Sequence, residues 1–138
     1  MTDASPPSKG WHITLWVLQA LLALVFIGSG GMKVLTPYAE LVVAPNMGWA
    51  QDFPAGFIKF IGAAEVLGGL GLLLPSLTRM MPKLTPLAAL GLVVIMLGAA
   101  ATHVRRGEPT IPPIILAALC GLVVWGRLKK APIAARQA

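Results

Sequence analysis

Glu65 is a carboxylic acid set in a run of apolar and small residues, Gly62-Ala63-Ala64-Glu65-Val66-Leu67-Gly68-Gly69. A charged side chain in hydrocarbon costs roughly 2.5–3.5 kcal/mol on insertion scales. Glu65 must therefore face the inside of a helix bundle, be paired, or be protonated. Lys33 is the partner the sequence offers, closing another apolar run after Gly28, Gly30 and Gly31. Small residues let two helices approach closely enough for such a pair to meet. His103 ends a third apolar run. An imidazole changes charge near neutral pH and can carry a proton between a buried pair and water. A carboxylate, an ammonium and an imidazole from three elements amount to a site for proton transfer. The same Lys33–Glu65 pair can equally be a clamp that fixes helix register. His103 can equally be an interfacial side chain beside Arg105 and Arg106. Gly30, Gly62 and Gly69 stand beside the charged residues, either against a ligand or packing helix on helix.

These residues need helices to hold them, and the charges mark where the helices run. Apolar residues make up 57% of the chain and charged residues 12%, about half the share usual in a soluble domain. So few charges cannot cover a small soluble fold, and the high hydrophobicity excludes disorder. Residues 10–32, 84–104 and 109–126 contain no formal charge, and residues 60–78 contain only Glu65. A helix crosses the hydrocarbon core in about 20 residues. The four stretches predict an all-α, up-down bundle of four transmembrane helices. They do not alternate apolar with polar, as barrel strands would. Prolines punctuate the ends, with Pro37 after the first span, Pro54 before the second and Pro75 closing its apolar core. Pro82 and Pro86 bracket the start of the third span, and Pro109, Pro112 and Pro113 open the fourth.

The first and second helices run in opposite directions, and helical side chains lean toward their own N-terminus. Lys33 and Glu65 therefore lean toward each other. Lys59 leans the other way and is expected to snorkel to the surface. The expected organisation is an N-terminal segment 1–10, a transmembrane domain 11–128 and a basic, mobile tail 129–138. Thr36 to Phe53 is a long connection in which Tyr38, Leu41, Val42 and Val43 suggest a short interfacial helix. Trp11, Tyr38, Trp49, Phe53 and Trp125 sit near span ends, as an interfacial aromatic belt would. Four spans put both termini on one side. That side carries Lys9, Arg79, Lys83, Arg127, Lys129, Lys130 and Arg136, seven of the eleven cations, which predicts that it is cytoplasmic. The first span is long for a signal peptide and reads as a retained helix. The net charge of +6 is scattered between apolar blocks, so nucleic acid is not an expected partner. Cys120 is the one cysteine, which excludes an internal disulfide, a CxxC pair and a multi-thiolate metal site; no metal is expected.

Three segments also carry a family resemblance. Phe26-Ile27-Gly28-Ser29-Gly30-Gly31-Met32-Lys33 resembles the first-helix ending of the DoxX-like family. Gly62 to Pro75, a glycine-flanked glutamate followed by Gly-Leu-Leu-Leu-Pro, is similar to its second-helix signature, and Gly98-Ala99-Ala100-Ala101-Thr102-His103 to its third-helix ending. The resemblance implies a four-helix protein of the bacterial inner membrane. Some relatives are linked to sulfur oxidation with quinone as acceptor or to membrane redox complexes, and others resemble assembly factors. Without a cysteine pair, this chain departs from thiol or sulfane-sulfur chemistry.

Two readings of function follow. In the first, the protein is a redox-linked membrane subunit that binds a quinone or similar lipid-soluble molecule among the helices. Glu65 exchanges a proton, Lys33 holds its charge state or bonds a carbonyl oxygen, and His103 links to water. No residue pattern holds haem, flavin or iron–sulfur, so a partner redox protein supplies the electrons. In the second, the protein is a non-catalytic assembly factor or accessory subunit, and the ion pair only holds the bundle. A transporter would need more polar lining than one chain offers, and hence a homo-oligomer. A cavity beside Glu65 deep enough for a ring favours the first reading, and direct Lys33–Glu65 bonding without a cavity favours the second.

Overall fold

The computed structural model describes residues 8–137. Residues 1–7 of the expected N-terminal segment, and Ala138 at the end of the tail, lie outside the described residues. Helix α1 spans Lys9–Leu35, α2 is the single turn Tyr38–Leu41, and a 3-10 turn covers Gly48–Asp52. Then come α3 (Ala55–Thr78), α4 (Leu84–Arg106) and α5 (Ile111–Trp125). A π-helical turn, Gly126–Lys130, extends α5. No strand occurs among the described residues. Four of these helices are long and apolar enough to cross a membrane: Lys9–Leu35, Ala55–Thr78, Leu84–Arg106 and Ile111–Lys130.

Local chemistry sets the helix ends. Ser8 caps α1 by accepting from the Trp11 N–H, and α1 stops at Thr36 because Pro37 disfavours a helical residue before it. Pro54 precedes α3, and Pro112 and Pro113 sit in the first turn of α5, where a missing N–H costs little. At the end of α4, Gly107 takes a left-handed φ of 67°. Its N–H donates to the Val104 carbonyl, and the Glu108 N–H donates to the His103 carbonyl. This Schellman turn brings Glu108 back beside His103. Pro75 does not end its helix, which runs on to Thr78. In the interrupted turn Gln19 Nε2 donates to the Leu72 carbonyl, the kind of side-chain support that lets a membrane helix carry a proline.

Each long helix packs mainly on its neighbours in chain order: α1 on α3, α3 on α4 and α4 on α5. A thinner contact between α1 and α5 closes the bundle. The core holds Leu22, Phe26, Leu72, Leu92, Met96, Cys120 and Val123. Polar residues share this interior, while many large apolar residues face outward. Gln19, Lys33, Glu65, Ser76, Thr85 and Arg127 are buried, whereas Leu24, Phe60, Leu67 and Val94 are each more than 60% exposed. A water-soluble fold inverts that order; a bilayer requires it.

Both described ends of the chain lie at one end of the bundle, since Arg127 Nη1 sits 3.1 Å from His12 Nδ1. We refer to this as the termini end and to the other as the loop end. The expected mobile tail is instead folded back: Ala131 is fully buried, and the Arg136 N–H donates to the Arg79 carbonyl at 2.7 Å. With Cys120 replaced by alanine, Asp52→Cys and Gln137→Cys are expected to react with a membrane-impermeant maleimide from opposite sides. Labelling of both from one side in intact cells contradicts the four-span topology.

Candidate functional site

Two of the spans meet through glycine. A Cβ added at Gly62 would lie 2.7 Å from Lys33 Cβ and 2.8 Å from the Gly30 carbonyl oxygen, so only glycine permits this approach of α3 to α1. The approach brings Lys33 to Glu65. Lys33 Nζ donates to Glu65 Oε2 at 2.8 Å, to Oε1 at 3.1 Å and to Ser29 Oγ at 2.7 Å. An ammonium has three donors, and all three are used. Lys33 is 6% exposed and Glu65 2%. The Trp49 ring lies over the ammonium, with its centroid 5.9 Å from Nζ.

Lys59 does not snorkel away. Its Nζ donates to the carbonyls of Lys33, Val34 and Thr36 at 3.0, 2.8 and 2.6 Å. These are the carbonyls a helix C-terminus leaves without partners, and a cation there also meets the negative end of the dipole. Lys59 thus ties α3 to the last turn of α1 directly beside the buried pair.

The connection between α1 and α3 folds over the same place. Tyr38 Oη donates to the carbonyls of Ala50 and Phe53 at 3.2 and 2.8 Å, and Leu41, Met47 and Ala50 are buried against Ile58. Arg106 of α4 donates to both carboxylate oxygens of Asp52, at 2.8 and 2.9 Å, and binds Glu108 as well. The loop is therefore a packed cover. It sets Trp49 edge-on to Phe53, with ring centroids 6.1 Å apart, and Phe53 stacks on Phe57 at 5.0 Å.

Under these rings lies a cavity of about 510 Å³, within the usual range for small-molecule sites. Lys33 and Glu65 line it, together with Trp49, Phe53, Phe57, Phe60 and Ile61; α4 adds Val94, Ile95, Gly98, Ala99, Thr102 and His103. Phe60 and Val94 are 66% and 64% exposed, on surfaces of α3 and α4 that face outward from the bundle. The cavity thus has an apolar rim toward the lipid and a polar wall at the ion pair. His103 Nδ1 is buried without a hydrogen-bond partner, 3.8 Å from Glu108 Oε1.

Lys33, Glu65 and His103 all line this one cavity, although His103 hydrogen-bonds neither of the other two. Gly30, Gly62 and Gly69 do not line it. They sit in the α1–α3 contact, where a Cβ at Gly69 would lie 2.7 Å from Ile27 Cγ1, so of the two roles the sequence offers them they take the packing one. The aromatic wall had a signal in the sequence. Trp49, Phe53, Phe57 and Phe60 recur at helix-like spacing, but Trp49 and Phe53 read as belt residues because they lie near a span end, and Phe57 and Phe60 carry no assignment in the sequence reading.

Four apolar helices, polar side chains turned inward and a buried ion pair define a small multi-pass membrane protein. The chain belongs to the DoxX-like family, which it matches over residues 17–126. Lys33, Glu65 and His103 all fall within the matched stretch. No curated protein and no solved structure matches the chain.

Removing one member of a buried pair strands the other, at a typical cost of about 3–5 kcal/mol. Lys33→Ala is expected to lower the unfolding midpoint in detergent strongly. Glu65→Gln should lower it less, because Ser29 Oγ and the amide oxygen still accept from Nζ. Equal midpoints for Lys33→Ala and wild type contradict a buried, paired Lys33.

Proposed function

We propose that this protein is a multi-pass subunit of the bacterial inner membrane, with both termini in the cytoplasm, that binds a quinone or similarly sized ring-bearing, lipid-soluble molecule in the cavity between α3 and α4. One observation carries the reading. A cavity of about 510 Å³ has aromatic walls, a lipid-side rim, and a buried carboxylate–ammonium pair on its inner wall. A clamp between α1 and α3 requires the pair but gives no reason for the hollow beside it. The orientation rests on the seven cations of the termini end.

The residues fit such a ligand. Phe53, Phe57 and Phe60 offer ring faces for stacking. Lys33 Nζ can turn a donor from Ser29 toward a carbonyl oxygen, and His103 Nδ1 is a polar atom with no partner to give up. A bound quinone would supply reversible two-electron, two-proton chemistry, with its electrons from a partner redox protein. The residues of this chain handle the protons. Glu65 accepts or delivers one at its carboxylate. Lys33 holds the carboxylate through two hydrogen bonds and keeps it oriented at the cavity wall. His103 lies beside Glu108, which is part-exposed, and provides the step to water.

The second reading, an accessory or assembly factor, is favoured by the completeness of the pair, whose three ammonium donors are satisfied within the chain. Gly98 separates the two. It lines the cavity, and an added Cβ there meets nothing within 4 Å. Gly98→Leu is therefore expected to fold normally while filling the hollow. Titration of the purified protein with a short-chain quinone, read by tryptophan quenching, should give saturable binding in wild type and at least tenfold weaker binding in Gly98→Leu. Lys33→Met combined with Glu65→Gln leaves no buried charge at the cavity, should fold, and should also lose binding. Wild-type protein that does not bind, or Gly98→Leu protein that binds as well as wild type, favours the accessory-factor reading.

A further inference from the structure

The termini end holds a second buried cation, which the proposed function does not use. Arg127 is 3% exposed. Its Nε donates to Gln19 Oε1 at 2.6 Å, its Nη1 donates to the Ala131 carbonyl at 2.8 Å, and the Trp16 ring centroid is 5.5 Å from Cζ. Gln19 is fixed in turn by Leu72 and Ser76, and Ser76 by Thr85 at 2.8 Å. The network holds the guanidinium rigidly and leaves Nη2 buried with no partner. No carboxylate comes near it among the described residues. Glu40, Asp52, Glu65 and Glu108 belong to the other half of the bundle, and Asp3 lies outside the described residues. A buried guanidinium without a counter-charge is strongly disfavoured.

Arg127 also lines a hollow of about 450 Å³, with Lys83, Met81, Pro86, Leu128 and Pro132 among its other walls. One wall is cationic and the rest is apolar. The folded-back tail contributes Pro132 and Ile133 as a partition, held by the Arg136–Arg79 backbone bond.

We propose that this hollow is a phosphate-binding site, in which a phosphate group supplied by an anionic lipid or by a free phosphate supplies the missing counter-charge to the Arg127 guanidinium and contacts Lys83. The planar guanidinium suits a phosphate, and the bonds to Gln19 and Ala131 fix its orientation. The apolar walls of Met81, Pro86 and Leu128 suit the glycerol and upper acyl chains of a lipid.

The test is titration of the purified protein in neutral detergent with phosphatidylglycerol, phosphatidylcholine and inorganic pyrophosphate, read by native mass spectrometry and thermal shift. A lipid source gives one tightly held phosphatidylglycerol and none of phosphatidylcholine. A free-phosphate source gives pyrophosphate binding instead. In either case Lys83→Gln should weaken binding about fivefold, and Arg127→Gln roughly tenfold or more. Arg105→Gln, an exposed cation at the loop end, should change nothing. If Arg127→Gln does not fold, Lys83→Gln and Arg127→Lys decide, since the lysine keeps the charge and loses the fork. Binding of neither probe overturns the proposal, as does phosphatidylglycerol binding that is unchanged in both Lys83→Gln and Arg127→Lys. Binding that emerges only on Asp3→Asn also overturns it, because Arg127 would then already be paired within the chain.

Discussion

The contact between Lys33 and Glu65 is the interaction to which the loop-end half of the bundle is fitted. Neither charge can stay alone in hydrocarbon, so the two must meet, and for them to meet α1 and α3 must pack backbone to backbone. Gly30 and Gly62 allow that approach, and no larger side chain fits there. Once the helices are this close, Lys59 reaches the end carbonyls of α1, while Ser29, one turn back on α1 itself, takes the third donor of Lys33. The connection between the two helices is then long for the gap it bridges, and it folds down as a cover held by Tyr38 and by Arg106. The cavity is what remains between this tight α1–α3 pair and α4, whose small residues Gly98 and Ala99 leave space opposite the ion pair.

Ion pairing divides the two halves of the bundle. At the loop end each buried or half-buried cation has an acceptor: Lys33 has Glu65 and Lys59 has helix carbonyls, and even the exposed Arg106 has Asp52 and Glu108. At the termini end the buried cation, Arg127, has only neutral partners among the described residues. A low-dielectric interior strengthens a completed network and penalises an incomplete one. The Lys33–Glu65 pair is complete in this sense, and among the described residues Arg127 meets no opposite charge.

The aromatic residues divide along similar lines. Trp11 and Trp125 meet edge to face at 5.3 Å near the termini end. Trp49, Phe53 and Phe57 instead form a chain of ring contacts above the cavity. Aromatic residues at span ends suit a membrane interface in general, and position along the chain does not separate a belt residue from a cavity wall. That distinction depends on where the connection folds.

The four spans were legible in the residues, because long uncharged runs in a chain with few charges admit little besides membrane helices. The Lys33–Glu65 pair was legible too. A lone carboxylate in such a run needs a partner, and the lean of side chains on antiparallel helices points to one. The role of Lys59 was hidden, since its acceptors are backbone carbonyls, which every residue has and no sequence pattern marks. Gln19 gave a weak signal as an amide in the middle of an apolar run, but Arg127 read as one more flanking cation. Their meeting depends on α5 returning beside α1, on the wide last turn at Gly126–Lys130, and on a tail that packs back where sequence implied mobility. Composition and charge spacing decide which segments enter the membrane, because solvation acts on each segment separately. Which polar groups then find one another, and what hollow is left between them, depends on the distances between helices. Only the packed bundle fixes those.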